Sequence, residues 1–273
     1  MGVGLDSVLG RAVAILRSFG PEDRVVTLAE LARRTGLPKA TVHRMAGDLV
    51  ELRLLDRVST GSTAGAGSTS GVGSGSGAGS GSGAGYRLSG GLFELGLRAS
   101  AERSLLEVAM PFLQDLYERT HETVHLGVAD GAEVVYVAKI GGHRQARSPS
   151  RTGGRMPMHC TAIGKVLLAY ADPALRRAVL TGPLERRTPH TIVAPGLLRR
   201  QLDAVLESGV AFEQEESTPG LRCVSAPVLD AAGASAVAAI SVTGPVGRFR
   251  PEAHVSAVRA AATGLASMLA RRG

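Results

Sequence analysis

The chain of 273 residues has no tryptophan, only four Tyr and five Phe, and two cysteines. With so few rings to anchor a core, aliphatic side chains and alanine must fill it. Two thiols, Cys160 and Cys223, are too few for a disulfide scaffold or a structural zinc module. No apolar run approaches the ~20 residues that a membrane-spanning helix needs. The opening MGVGLDSVLGRAVAIL lacks the basic-then-apolar order of a secretory leader. These shortages predict a cytoplasmic protein with reduced thiols and no membrane partner. A strong charge imbalance is missing too: 31 Lys and Arg against 24 Asp and Glu leave a formal net charge of +7. That favours a polyanionic partner mildly and excludes no class. What is present is 44% hydrophobic residues over a length that suits two ordinary domains.

Helical spacing begins at once. Val8, Ala12, Ile15, Leu16 and Phe19 recur on one face, and Gly20-Pro21 ends that helix. Thr27-Leu28-Ala29-Glu30 reads as a capping box, in which the Thr hydroxyl accepts the Glu30 amide while the Glu side chain reaches back. The helix it opens closes at Thr35-Gly36. Pro38 fits the first turn of a third helix, along which Val42, Met45, Ala46, Leu49 and Leu52 share one face.

Residues 54–58 and 85–89 read as short strands. Between them a Ser/Gly/Ala/Thr tract, from about 59 to 85, has no charge and one apolar side chain larger than Ala, Val72. It cannot bury enough surface to offset the entropy of ordering it, so disorder is expected. Hairpin loops usually run about two to five residues. The tract therefore reads as an expanded hairpin tip inside one domain, not as a linker between two.

Residues 91–103 read as a helix, and Ser104-Leu105-Leu106-Glu107 as a second capping box opening a helix to about 120. Strand-like stretches follow at 124–128, 133–140, 210–214, 222–229 and 236–243, with helices at 161–170, 173–180, 197–208 and 251–270. Strands interrupted by helices without regular βαβ alternation indicate an α+β domain on a mainly antiparallel sheet. The organisation so read is a winged helix-turn-helix over 1–90 with a 59–85 wing tip, a linker helix over 91–103, and a second domain over 104–273.

Two helices joined by a short glycine turn also form plain αα-corners. Here Ala32 faces the partner helix, Gly36 follows four residues on, and Val42 six later is buried. That spacing lets the helices cross closely while the start of the third stays exposed. The exposed start presents Lys39, Thr41, His43 and Arg44, side chains able to reach phosphates and base edges. Arg33 and Arg34 lie on the preceding helix, and Arg57 and Arg87 on the wing strands. Residues 1–60 carry nine Lys and Arg against seven Asp and Glu. One copy is thus only slightly basic, and binding to double-stranded DNA would depend on self-association.

The segment LPKATVHRMAGDL, a wing and linker helix, and then GGRMPMHCTAIGKVLLAY, GLRCVSAPVLDAAG and AAISVTGP resemble the IclR family of bacterial transcription regulators. The resemblance covers nearly the whole chain except the Gly/Ser-rich tract. It implies a GAF-like α/β effector domain, dimers assembling to tetramers, and operator binding modulated by a small organic metabolite. It places ligand contacts on Ala162, Ile163, Glu213, Leu221, Cys223, Ser241 and Thr243. Ile163, Glu213 and Thr243 depart from the residues common there, which reshapes the pocket and bars reading the ligand from a relative. Tyr136, Arg147 and Met156 are candidates for its entrance. Read without the resemblance, Ser241 and Thr243 share one strand face, and the amides opening the helix at Ala162-Ile163-Gly164 could hold an anion. The same residues also fit satisfied strand hydroxyls and a small core thiol.

Other chemistries fit fragments of the chain. His159-Cys160 with Cys223 could ligate a metal, but no second close ligand pair accompanies them. Cys223 could serve a GAF-fold reductase if its thiol pKa were lowered and Cys160 lay near to resolve it, yet a winged helix has no role in such an enzyme. A constitutive DNA-binding protein without an effector is a third reading. The reading adopted is a regulator binding a pseudo-palindromic operator as dimer or tetramer, with no cofactor, metal or catalytic residue.

Overall fold

The computed structural model describes residues 7–59, 84–98, 100–141 and 148–272. They belong to two units, Met1–Ser100 and Ala101–Gly273.

In the first unit, α1 (Val8–Arg17) is capped by the Ser7 hydroxyl, which accepts the Gly10 amide at 2.8 Å. A short β1 (Val26–Thr27) leads into α2 (Leu28–Thr35), where Thr27 accepts the Glu30 amide at 3.2 Å. The return half of the capping box is not made. The Glu30 carboxylate turns instead to Arg33 and Arg34, 2.6 Å from each, since charge-assisted bonds to two guanidiniums outweigh one amide. Gly36 closes α2 at φ 68°, the left-handed region a side chain would resist. α3 (Lys39–Glu51) follows, with Pro38 just before its first residue. Val42, Met45, Ala46 and Leu49 are buried against Ile15 and Leu31. Leu52, expected on the same face, lies past the helix end and is 68% exposed.

β2 (Leu55–Ser59) and β3 (Ala84–Leu88) pair antiparallel from Leu55 opposite Leu88 to Ser59 opposite Ala84, and β1 adds to the far side of β3. The unit is a helix-turn-helix with a wing. Both strands reach into the ends of the low-complexity tract, and the disorder expected of it falls on 60–83, outside the described residues. α4 (Gly90–Leu97) is capped by Ser89. The single helix expected over 91–103 is corrected here: α4 stops at Leu97, and α5 (Ser100–Thr120) runs through Ser104, which therefore caps nothing. The Ser-x-x-Glu pattern sits inside α5 because Leu105, Val108 and Ala109 continue its buried stripe.

The second unit is built on a six-stranded antiparallel sheet. Its strands are β4 (Thr123–Asp130), β5 (Glu133–Ile140), β6 (Arg155–Pro157), β7 (Ala211–Gln214), β8 (Leu221–Leu229) and β9 (Ala236–Pro245), in the order β6-β5-β4-β9-β8-β7. Three-residue β6, an edge strand, carried no sequence signal. α5 and α9 (Val255–Ala270) cover one face through Leu113, Leu116, Val124, Val224, Ile240, Val242 and Leu265. Phe249 is the one ring among the buried described residues of that cluster, as the scarcity of aromatics requires.

α6 (Ala162–Ala169), α7 (Pro173–Thr181) and α8 (Pro195–Ser208) bring a second apolar cluster around Met158, Val166, Leu198 and Leu202. Every residue of α6 is buried. A Cβ on Gly164 would stand 2.3 Å from the Met158 carbonyl oxygen, so glycine lets α6 lie directly on the 3-10 turn Met158–Cys160. The result is an α+β chain: a helix-turn-helix unit and an α/β unit with a curled antiparallel sheet.

Candidate functional site

The residues singled out on the first unit fall into two groups. Lys39, His43, Arg44 and Arg57 are exposed and have no ion-pair partner among the described residues; Thr41 is half-buried. Arg33, Arg34 and Arg87 are already engaged. Arg33 holds Glu30, Arg34 spans Glu30, Asp23 and the Ser18 carbonyl, and Arg87 bonds Asp56 at 2.9 Å. The bonds from Arg33 and Arg34 hold the Glu30 carboxyl down at about 2, and Arg34 lowers that of Asp23. Among the residues singled out, the basic side chains without an acid partner therefore lie at the start of α3 and on β2.

In the second unit, sheet register assembles residues far apart in the chain. Thr243 on β9 stands opposite Thr123 on β4 and Cys223 on β8, and Cys223 stands opposite Glu213 on β7. One step along, Ser241 faces His125 and Ser225. Directly paired residues share a sheet face, and Val124, Val242 and Val224 occupy the other one, toward α5 and α9. The two polar rows thus look toward α6. All of their residues except Thr123 and Ser225 line a cavity of about 30 Å³, closed by Ile163, Met156, Tyr136 and Leu221 and by residues 148–150. Of the seven ligand positions implied by resemblance, Ile163, Glu213, Leu221, Cys223, Ser241 and Thr243 line it, and Ala162 does not. Tyr136 and Met156 are wall residues, while Arg147 lies outside the described residues.

Burial sets the electrostatics. Glu213 Oε1 accepts the amides of Glu216 and Ser217 at 2.7 and 3.0 Å and the Ser217 hydroxyl at 3.3 Å. Desolvation outweighs those bonds and pushes the carboxyl up to about 7. His125 Nε2 lies 2.7 Å from Ser150 Oγ, and Nδ1 lies 3.5 Å from Ser241 Oγ. Burial, aided by Lys139, pulls this imidazole down to about 3, so it is neutral. Lys139 Nζ donates to the Ser150 carbonyl at 2.7 Å, tying the 148–150 wall to β5. Thr243 donates its hydroxyl to Cys223 Sγ at 3.1 Å. The cavity is lined by neutral donors and one carboxyl near its titration point.

One turn along α6, Lys165 is 1% exposed; its Nζ bonds Glu216 Oε1 at 2.5 Å and the Phe212 carbonyl at 3.2 Å. Glu216 Oε2 is buried without a hydrogen-bond partner. An open cleft of about 400 Å³ between α8 and β7 is larger than the cavity. Four of the nine residues on its walls are polar or charged, Lys165 and Gln201 among them, and the other five are apolar.

Desolvation pushes both thiols, Cys160 and Cys223, up to about 12. They are protonated at neutral pH, the reverse of an activated nucleophile. His159 Nε2 lies 2.9 Å from the Glu185 carbonyl, and no cluster of three metal-ligating side chains occurs among the described residues. Sequence reasoning missed His125, Thr161, Ser217 and residues 148–150 as parts of the cavity. For His125 a signal existed: it is the lone ionisable side chain in the apolar stretch Thr123–Val128.

Comparison with known proteins accounts for both units. Residues 8–59 match the IclR helix-turn-helix domain, and residues 98–267 match the bacterial transcriptional regulator IclR C-terminal domain. The HTH-type transcriptional regulator KdgR of Escherichia coli K12 is 34% identical over 249 residues, 91% of this chain and 85% of its own. The HTH-type transcriptional repressor AllR of Klebsiella pneumoniae is 35% identical over 250 residues, 91% and 83% of the two chains. An IclR homolog from Microbacterium hydrocarbonoxydans, solved in complex with 4-hydroxybenzoate, superposes with a TM-score of 0.83 at 28% identity, covering 98% of this chain and 100% of that one. The relatives are named as regulators and repressors of transcription, not as enzymes. No helix among the described residues is long and apolar enough to cross a membrane. The chain belongs to the IclR family, as a helix-turn-helix transcriptional regulator with a C-terminal effector-binding domain.

Proposed function

We propose that this regulator binds a pseudo-palindromic operator in the cytoplasm as a dimer or tetramer, and that a small organic acid in the C-terminal cavity changes its affinity for that operator. The observation that carries the reading is the convergence of Ser241, Thr243, Cys223, Glu213 and neutral His125 on one cavity beside the start of α6. A protonated Glu213, near neutrality in its titration, donates to a carboxylate that an ionised one repels. The free amides opening α6 add positive potential. The 4-hydroxybenzoate complex of the Microbacterium homolog supports the same ligand class. An organic acid exceeds the present 30 Å³, so Ile163 or the 148–150 wall gives way on entry.

On the first unit, Lys39, Thr41, His43 and Arg44 read the major groove and Arg57 follows the flanking backbone. Arg33, Arg34 and Arg87, bound to acids, contribute less. Self-association has support in the slight charge excess of residues 1–60, nine Lys and Arg against seven Asp and Glu, which gives one copy little hold on DNA. Ligand control requires unequal affinity for the DNA-competent and incompetent arrangements, typically ~1–3 kcal/mol.

The test is a thermal-shift screen of the full chain against small carboxylic, aromatic and amino acids, followed by gel shift with the DNA upstream of its gene. A stabilising acid that alters mobility, and that loses its effect in Ser241→Ala, supports the site. Equal stabilisation of Ser241→Ala would misplace it. Acids that stabilise nothing and leave DNA binding unchanged would favour the constitutive binder.

A further inference from the structure

We propose that the groove between α2, α3 and the wing seats one backbone phosphate of the DNA, and that the hydroxyl of Tyr86 donates to it. The inference rests on the DNA-binding reading above and adds a contact which that reading does not contain. Tyr86, on β3, is 2% exposed and packs with Val26, Leu31 and Val42 in the apolar core of its unit. Its ring is fixed by that packing. Its hydroxyl makes no hydrogen bond to the described residues, yet it is not among the side-chain atoms closed off from solvent without a partner. The ring forms a wall of a groove of about 300 Å³, shared with Thr27, Leu28, Ala29, Lys39, His43 and Arg57. The polar end of an otherwise buried ring is therefore the part left open to solvent, at the groove.

The rest of the groove is built for an anion. α2 begins there, and the Thr27 hydroxyl takes the Glu30 amide. The amides of Leu28 and Ala29 are left without an intrahelical acceptor at the positive end of the helix dipole. Lys39 and Arg57 stand at the wall with no acid against them among the described residues. The one acid in the first turn of α2, Glu30, is occupied by Arg33 and Arg34. An anion in the groove would meet one fixed neutral donor, two amides and two adaptable cations. Lys39 and His43 belong both to this wall and to the exposed start of α3, so the anion that fits is attached to the duplex α3 reads. Tyr86 acts as a positioning contact: it fixes how deep α3 sits and carries no sequence preference.

The experiment uses the full chain and a duplex it enriches from a random pool, with binding read by fluorescence anisotropy across a salt series. Tyr86→Phe keeps the packed ring; we expect about tenfold weaker binding, the scale of one hydrogen bond to a charged group. The loss is equal on a scrambled duplex, and the salt slope is unchanged because no charge is removed. Lys39→Ala instead reduces that slope by about one. A scan with single neutral methylphosphonates finds one position where wild-type protein loses affinity and Tyr86→Phe loses less, since its other contacts to that phosphate remain. This arm with wild-type protein tests the seat even if a variant misfolds. Wild-type binding to every methylphosphonate duplex as to the parent would overturn the proposal. So would Tyr86→Phe binding like wild type. If no duplex is enriched at all, the DNA-binding reading itself falls first.

Discussion

The first unit buries an almost wholly apolar core and wears its charges outside, whereas the second hides its most informative polar groups within its sheet. Arg33, Arg34 and Arg87 trade partners at a solvated surface, where ion pairs contribute little to stability. His125, Glu213, Cys223, Ser241 and Thr243 are all less than a tenth exposed, where an unpaired charge is costly. The exposed site can stay charged because water pays for it. The buried site must be neutral, or nearly so, and its protonation becomes part of its binding. One chain thus recognises a polyanion by charge on the outside and a small molecule by hydrogen bonding on the inside.

The sharpest way to break this contrast is at the buried ion pair. Lys165→Met strands the Glu216 carboxylate in the interior and is expected to cost about 3–5 kcal/mol, measured by urea unfolding of the full chain. Adding Glu216→Leu should recover most of it. A cost below ~1 kcal/mol, the scale of an exposed pair, would mean the interior is wetter than described. Next comes Arg44→Ala, expected to weaken DNA binding by about 1–3 kcal/mol while thermal stabilisation by a bound acid is unchanged. Equal loss of both would point to general unfolding.

The third prediction concerns pH. With Glu213 titrating at about 7, an organic acid that needs its protonated form should bind about tenfold more weakly at pH 8 than at pH 6, by calorimetry. Glu213→Gln should flatten that profile. Because the folded pKa is raised, the folded state holds the extra proton between the ordinary carboxyl range and about 7. Glu213 therefore lowers stability as pH rises through that window, and the melting temperature of Glu213→Gln relative to wild type should climb from pH 5 to pH 8. A pH-independent difference would remove Glu213 from its buried role. The smallest effect is expected for Arg34→Ala: a slight drop in melting temperature from loss of its tie between α2 and Asp23, and a weaker DNA defect than Arg44→Ala. If its DNA defect matched that of Arg44, the paired arginines would belong to the interface after all.

The first unit was legible in the sequence because its signals are local. Thr27, Gly36 and the spacing of Val42, Met45, Ala46 and Leu49 each act within a few residues. The errors there arose where a side chain had a stronger suitor, as Glu30 did in Arg33 and Arg34, or where a helix stopped one residue early and left Leu52 in solvent. The end of α4 at Leu97 was hidden because residues 98–104 contain no Gly or Pro to mark it. In the second unit strand positions were readable from alternation, but the cavity was not. It depends on Ser241 meeting His125 and Cys223 meeting Glu213 across the sheet, pairings that no local window contains. Its residues came from resemblance to a family, and that route missed His125.

The cavity beside α6 also sets how sensitive the protein is to its ligand. Space of about 30 Å³ is room for about one water, so an acid binds only the fraction of molecules whose walls have parted. The concentration needed for a response is the pocket's intrinsic dissociation constant divided by that fraction; a pocket open about 1% of the time responds at roughly a hundredfold higher concentration. Stiffness is therefore a dial separate from contact chemistry. Shortening Ile163 to Val adds no bond to any ligand, yet it should lower the response threshold by letting the wall open more often. The bulk of one aliphatic side chain would then determine how much metabolite must accumulate before the gene responds.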